Sequence, residues 1–306
     1  MLIITAATMI SSCRRKPASS KVLLHLACVL RTPAFAGVMS RPGRAAPPHA
    51  RGFTLLELAI ALFIITLVLG ALLVPLTTQI AQRRISDTQK TLDDIKEALL
   101  GFAVSNTRLP CPASATSNGV ESFCTSATPN PCGAELLTPQ AHGRCAVQYP
   151  STDNGFVPGI TLGLAATDAQ GYAIDAWGRR IHYAVTASAL SYTFTITNGM
   201  RNAGLTALVP DLFVCASSPG AGIQTNCVGA PKLTGTAPAV LFSLGLNAKT
   251  GGGASADEAA NLNGDQVFVS RVRSDPGSAG GEFDDIVTWL SENVLYNRMV
   301  AAGQLP

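Results

Sequence analysis

From Phe53 to Leu76 the chain reads FTLLELAIALFIITLVLGALLVPL, 24 residues with a single charged side chain, Glu57. As a helix this run is about 36 Å long, enough to cross a hydrocarbon core of about 30 Å. The pattern then changes. Ile85, Thr88, Leu92, Ile95, Leu99 and Phe102 recur three and four residues apart, which predicts an amphipathic helix over 77–105 with one apolar stripe. Arg83, Arg84, Lys90, Asp93, Asp94, Lys96 and Glu97 fall on its other faces. Pro75 either kinks the joined helix or marks the membrane exit, and Gly101, Asn106 and Pro110-Cys111-Pro112 bring it to an end.

Period-two patterning takes over in the C-terminal part. A turn at Asp175–Gly178 leads into Ile181, Tyr183 and Val185, and SYTFTIT (191–197) alternates again, so a hairpin is expected over 180–197. LFVCAS (212–217), AVLFSLG (239–245) and DQVFVSRV (265–272) are further strand candidates. The tail 287–306 is apolar at Trp289, Leu290, Val294, Leu295, Met299 and Val300, with Ser291 placed to cap a short helix that covers one face of the sheet. The fold class predicted is α+β: a long N-terminal helix, half membrane-embedded and half amphipathic, packed on an antiparallel sheet head over 106–306.

Charge changes the picture of the first 52 residues. They hold eight of the 22 Lys and Arg and none of the 19 Asp and Glu, which leaves the remainder at a formal −5. A mildly acidic body argues against nucleic-acid binding through a basic patch. Arg41, Arg44 and Arg51 precede the apolar run without an acid, so that end is expected in the cytoplasm and the head in the periplasm. Met39 opens a short basic leader over 39–52. Residues 1–38 contain an apolar stretch broken by Arg31, and translation is expected to start at Met39.

Six cysteines follow the run: Cys111, Cys124, Cys132 and Cys145 in one group, Cys215 and Cys227 in another. None forms a Cys-x-x-Cys pair, and the only histidines there are His142 and His182, too few ligands for a zinc site. Disulfides in an oxidising compartment are expected, with Cys215 paired to Cys227 and three pairings open for the group of four. The Pro-, Gly- and Ser-rich stretch 111–160 then reads as a loop region pinned by its cysteines.

Glu57 needs a partner, because a carboxylate within a spanning helix costs about 2.5–3.5 kcal/mol. Nothing basic follows before Arg83. Cleavage between Gly52 and Phe53 would create one: the new amine lies a helical turn before Glu57, or meets it from a neighbouring chain. Gly52-Phe53-Thr54-Leu55-Leu56-Glu57 and the apolar run resemble the prepilin signature of type IV pilins and type II secretion pseudopilins. The resemblance implies cutting after Gly52 by a membrane-embedded prepilin peptidase and N-methylation of Phe53. It further implies use of Glu57 to align each subunit against its neighbour's amine in a filament.

Asp175-Ala176-Trp177-Gly178 with Tyr183 resembles the Asp-Pro-Trp-Gly segment of major pseudopilins, Ala176 replacing the proline, with Trp177 as a buried anchor. The stretches 243–265 and 280–291 resemble that family's calcium loop, with a longer spacer. Asp257, Glu258, Asn261, Asn263, Asp265, Glu282, Asp284 and Asp285 place hard oxygen donors near glycines, without the register of an EF-hand. Calcium is one expectation, with Asp257, Asp265, Asp284 and Asp285 as ligands and the last two foremost; a solvated acidic loop is the other.

No GxSxG, HExxH or phosphate-binding glycine loop is present. The function expected is structural rather than enzymatic: a minor pilin or pseudopilin, processed at the inner membrane and assembled with other pilins into a type IV pilus or a secretion pseudopilus. Alternatives are a minor pilin whose enlarged head is an adhesin or binding module, and a membrane-anchored periplasmic enzyme.

Overall fold

The computed structural model describes residues 52–128, 132–149, 155–248 and 255–305, except for the side chains of 71–77. The expected start at Met39 and the leader up to Arg51 lie outside the described residues. The chain divides into two units, with the boundary after Leu58. In chain order the elements are α1 (Leu55–Asn106), β1 (Phe123–Cys124), β2 (Glu135–Leu136), β3 (Gly155–Phe156), α2 (Gly159–Leu162), β4 (His182–Val185), α3 (Gly199–Ala203), β5 (Leu212–Cys215), β6 (Lys232–Ala237), β7 (Ala239–Ser243), α4 (Ala256–Leu262), β8 (Val267–Val269), β9 (Ile286–Leu290) and α5 (Glu292–Ala301).

Helix α1 is one element of 52 residues, and it passes Pro75 without ending. Every residue from Phe53 to Gly70 is exposed. Among the described residues no helix is long and apolar enough to cross a membrane; the expected run continues through 71–77, whose side chains are outside the description. Further along, the stripe read from the sequence is buried at Thr88, Leu92, Ile95 and Leu99, and Leu100 and Ala103 widen it. The helix stops at Asn106 because Thr107 turns left-handed, with φ +53°.

Besides the two-stranded β1-β2 pair, two larger sheets make the body. Strands β3-β4-β7-β9 form an antiparallel sheet in that order, and β6-β5-β8 form a second. All five residues of β7 are buried because the strand is covered on both faces. Ala239 and Leu241 share a core with Leu92, Ile95 and Leu99 of α1 and with Leu295 and Met299 of α5. Val240 and Phe242 point the other way, into a core with Leu212, Val214 and Phe268 of the second sheet. Ser291 is the N-cap of α5, although its side chain makes no capping bond.

Three expectations are corrected. The head is not wholly antiparallel: β5 and β8 run parallel, which the long crossover through β6, β7 and α4 allows. The hairpin over 180–197 does not form. Ser188, Ala189, Leu190 and Tyr192 have positive φ and coil 188–197 into turns, so β4 pairs with β3 and β7 instead. Trp177 is half-buried rather than enclosed.

Disulfides join Cys111–Cys145, Cys124–Cys132 and Cys215–Cys227. The pairing left open in the group of four is thus nested, the short loop lying inside the long one.

Candidate functional site

The first site is the start of α1. Thr54 precedes the helix, and its Oγ1 accepts the Glu57 N–H at 3.2 Å while its carbonyl accepts Leu58 N–H at 3.1 Å. This is the N-cap half of a capping box, Thr-x-x-Glu, and it places the Glu57 carboxylate in the first turn, where the helix dipole favours a negative charge. Phe53 is 81% exposed and Glu57 is exposed as well. Gly52 is not required by the fold, since a Cβ there would meet nothing within 4 Å.

The second site is built on the segment that begins at Asp175. The Asp175 carboxylate accepts Trp177 N–H at 2.8 Å, Arg179 N–H at 2.9 Å and the Ser243 hydroxyl at 2.6 Å, which fixes the turn against the end of β7. Ala176 N–H donates to Thr88 Oγ1 on α1 at 3.2 Å. The Arg179 guanidinium then donates to the carbonyls of Gly245 and Leu246. Gly245 has φ +60°, and a Cβ there would lie 2.1 Å from the carbonyl oxygen of Asp284, so only glycine fits.

That loop holds three carboxylates together. Glu258, Asp284 and Asp285 are buried, and one oxygen from each lies within 4.8 Å of the others. Asp284 Oδ2 accepts Asn247 N–H at 2.7 Å, and Asp285 Oδ2 accepts from Asn261 Nδ2 at 2.8 Å. Glu258 Oε1 accepts Asp284 N–H at 3.1 Å and Asn247 Nδ2 at 3.2 Å. Asp284 Oδ1 is buried with no partner. Burial, reinforced by repulsion from Glu258 and Asp284, pushes the Asp285 carboxyl up to about 7; burial likewise raises Asp284. Three crowded carboxylates, one of which has an unpartnered oxygen, suit a hard divalent cation that takes oxygen ligands.

Two of the four expected calcium ligands are elsewhere. Asp257 pairs with Arg271 at 2.5 Å and accepts Ser218 N–H at 2.6 Å. Asp265 accepts Gln224 N–H and Val267 N–H, each at 2.7 Å, and so fixes a turn. Glu258 takes a place beside Asp284 and Asp285 because it follows the Ser255 cap of α4, whose Oγ accepts its N–H at 3.3 Å. The serine three residues before a glutamate is the signal in the sequence that marks it.

Residues 48–73 match the prokaryotic N-terminal methylation motif. The chain carries the type IV pilin/pseudopilin signature. The match spans Gly52, Phe53 and Glu57, and the signature implies a membrane-anchored protein of the cell envelope. No curated protein and no solved structure matches the chain.

Proposed function

We propose that this pilin-like protein is a structural filament subunit rather than an enzyme. Prepilin peptidase cuts between Gly52 and Phe53, Phe53 is N-methylated, and the run 53–76 holds the chain in the inner membrane with the head in the periplasm. The subunit then joins other pilins in a type IV pilus or a type II secretion pseudopilus, with Glu57 meeting the Phe53 amine of a neighbour. The observation that carries this reading is the exposure of every residue from Phe53 to Gly70, in an apolar run whose one charge is a carboxylate in the first turn of α1. Such a surface calls for lipid or for other apolar helices. The open space at Gly52 supports processing, because a glycine the fold does not need suits a protease that binds an unhindered strand. The test is Glu57→Ala, with cleavage followed by mass spectrometry and assembly by recovery in sheared filaments. Cleavage is expected to persist and incorporation to fail; normal incorporation overturns the reading.

A second reading concerns the head. The unpartnered Asp284 Oδ1 beside Glu258 and Asp285 favours a bound calcium ion that neutralises the cluster and braces the loop on the turn at Asp175. Its role there is structural.

A further inference from the structure

Beyond the apolar run, α1 presents a charged stripe that the body does not cover. Arg83, Asp87, Lys90 and Asp94 are all exposed and recur at steps of four, three and four, so they share one face of the helix. Leu92, Ile95 and Leu99, which enter the core, occupy the other side. Among the described residues none of the four charged side chains takes part in an ion pair. By contrast Asp93 and Glu97, at the edges of the stripe, are held by Lys96 at 2.7 Å and by Arg298 at 3.4 Å. The order of signs is telling: each cation is followed four residues later by a carboxylate. Within one helix that order is the weaker of the two, because a carboxylate placed before its cation also suits the helix dipole. At about 3.6 residues per turn, the two cations lie on one flank of the stripe and the two carboxylates on the other, ~40° round the axis. The same four-residue step separates Phe53, whose amine appears on cleavage, from Glu57.

We propose that this stripe is a second contact between copies of the chain, in which Arg83 and Lys90 of one copy meet Asp87 and Asp94 of a parallel neighbour displaced by one helical turn, about 6 Å. The inference rests on the filament reading and deepens it. Two helices anchored in one membrane with both heads on the same side run parallel. Without displacement every charge of the stripe would stand level with its own copy, like against like. An antiparallel pair would match Arg83 with Asp94 and Asp87 with Lys90, but the shared membrane forbids that orientation. A shift of four residues satisfies both cations at once. It is also the step at which Glu57 is level with the Phe53 amine of the neighbour. Because cations and carboxylates occupy different flanks, each copy offers one flank to the copy ahead and the other to the copy behind. Such a contact is heterologous, and it propagates along a filament instead of closing a dimer. Exposed pairs of this kind add little affinity; their work is to penalise every wrong register.

Two full-length variants test it, each compared with the parent chain for cleavage, melting temperature and yield in sheared filaments. Arg83→Asp/Lys90→Asp makes the stripe wholly acidic, and Asp87→Lys/Asp94→Lys makes it wholly basic. Each alone is expected to be cleaved and to melt like the parent, and to lose about tenfold in filament yield, because like charges then meet at every step. Co-expressed, the two are expected to recover most of the parent yield, since acidic and basic copies alternate; that recovery also shows that both fold. The register is read by co-expressing Arg83→Cys with Asp87→Cys, because a disulfide needs Cα atoms within about 7 Å of each other. The mixed cross-linked dimer is expected in filaments and is expected to outnumber both self-dimers. Parent-like yields from both charge variants, no recovery on co-expression, or self-dimers in excess overturns the proposal and leaves the filament reading intact. A parent chain absent from sheared filaments, or a Glu57→Ala chain present there at the normal level, overturns the filament reading and this proposal with it.

Discussion

Thr54 caps the helix that Glu57 belongs to: its hydroxyl oxygen accepts the Glu57 N–H at 3.2 Å. The two residues therefore share one turn but do different work, and substitution separates them. Thr54→Ala removes the cap, which frays the first turn by about 1 kcal/mol, and leaves the carboxylate in place. Glu57→Ala leaves the cap and removes the charge. Filament incorporation is expected to survive the first change, reduced no more than severalfold, and to be lost in the second. Equal losses in sheared-filament yield would mean that Glu57 acts only by ordering the helix start.

Burial makes His182 a source of acid sensitivity in the head. Its ring stacks on Phe242 at 4.7 Å and meets Phe156 at 4.8 Å, and its Nδ1 is buried without a partner. Burial holds its pKa down at about 4, against an ordinary value of 6.5. Below 6.5 the unfolded chain takes up a proton that the folded chain refuses. The His182 contribution is thus full above pH 6.5 and is lost as the pH drops towards 4, by about 1 kcal/mol per unit for one proton, while the raised Asp285 carboxyl acts in the opposite direction over the same range. In thermal melts between pH 7 and 4 the difference between His182→Phe and the parent chain is expected to move in favour of the variant as the pH falls; parallel curves would contradict this.

The calcium reading predicts a difference among four aspartates that resemble one another in the sequence. Calcium at about a hundred times its Kd adds about 2.7 kcal/mol to stability, which raises the melting temperature by about 5–10 °C, and EDTA reverses the rise. Asp284→Ala is expected to remove that response. Asp257→Ala is expected to keep it, because Asp257 is held by Arg271 at 2.5 Å, away from the cluster. A melting temperature indifferent to calcium and EDTA would exclude the ion.

That difference shows where the sequence could be read and where it could not. The stripe from Thr88 to Leu99 announced a buried helix face, and AVLFS announced a strand, though not that β7 is covered on both sides. Strand β6, KLTGTA, gave no such signal because it is a mostly exposed edge with a glycine inside. In SYTFTIT the alternation was genuine, but left-handed backbone at Tyr192 overrides it, and pattern does not encode φ. Asp257 and Asp284 look alike locally; a guanidinium 14 residues on diverts the first, and only tertiary placement shows it.

Arg108 and Glu121 form a buried bidentate pair, at 2.6 and 2.7 Å, where the chain leaves α1 for the disulfide loops. Glu121 also accepts Cys111 N–H at 3.1 Å, so the pair positions the first cysteine. Glu121→Gln leaves a buried guanidinium without its counter-charge, a change that costs about 3–5 kcal/mol. A melting temperature lower by about 10 °C is expected, with all three disulfides still formed in non-reducing peptide maps. A loss below 1 kcal/mol would show the pair to be dispensable.

The three disulfides are expected to differ in what their removal does. Cys111–Cys145 spans 34 residues between two buried cysteines, whereas Cys124–Cys132 spans 8 and Cys215–Cys227 spans 12. Closing a longer loop restricts the unfolded chain more, by about 4 kcal/mol for the first against roughly 2.5–3 kcal/mol for the others in the chain-entropy account. The long bond also ties two separate stretches of the loop region to the core that α1 shares, since Cys111 and Cys145 pack with Leu99 and Phe123. The double variant Cys111→Ala/Cys145→Ala is therefore expected to lose the most stability in denaturant titrations. The variant lacking Cys124 and Cys132 is expected to lose the least. An inverted order would mean that the short loop, not the long one, anchors this region to the helix.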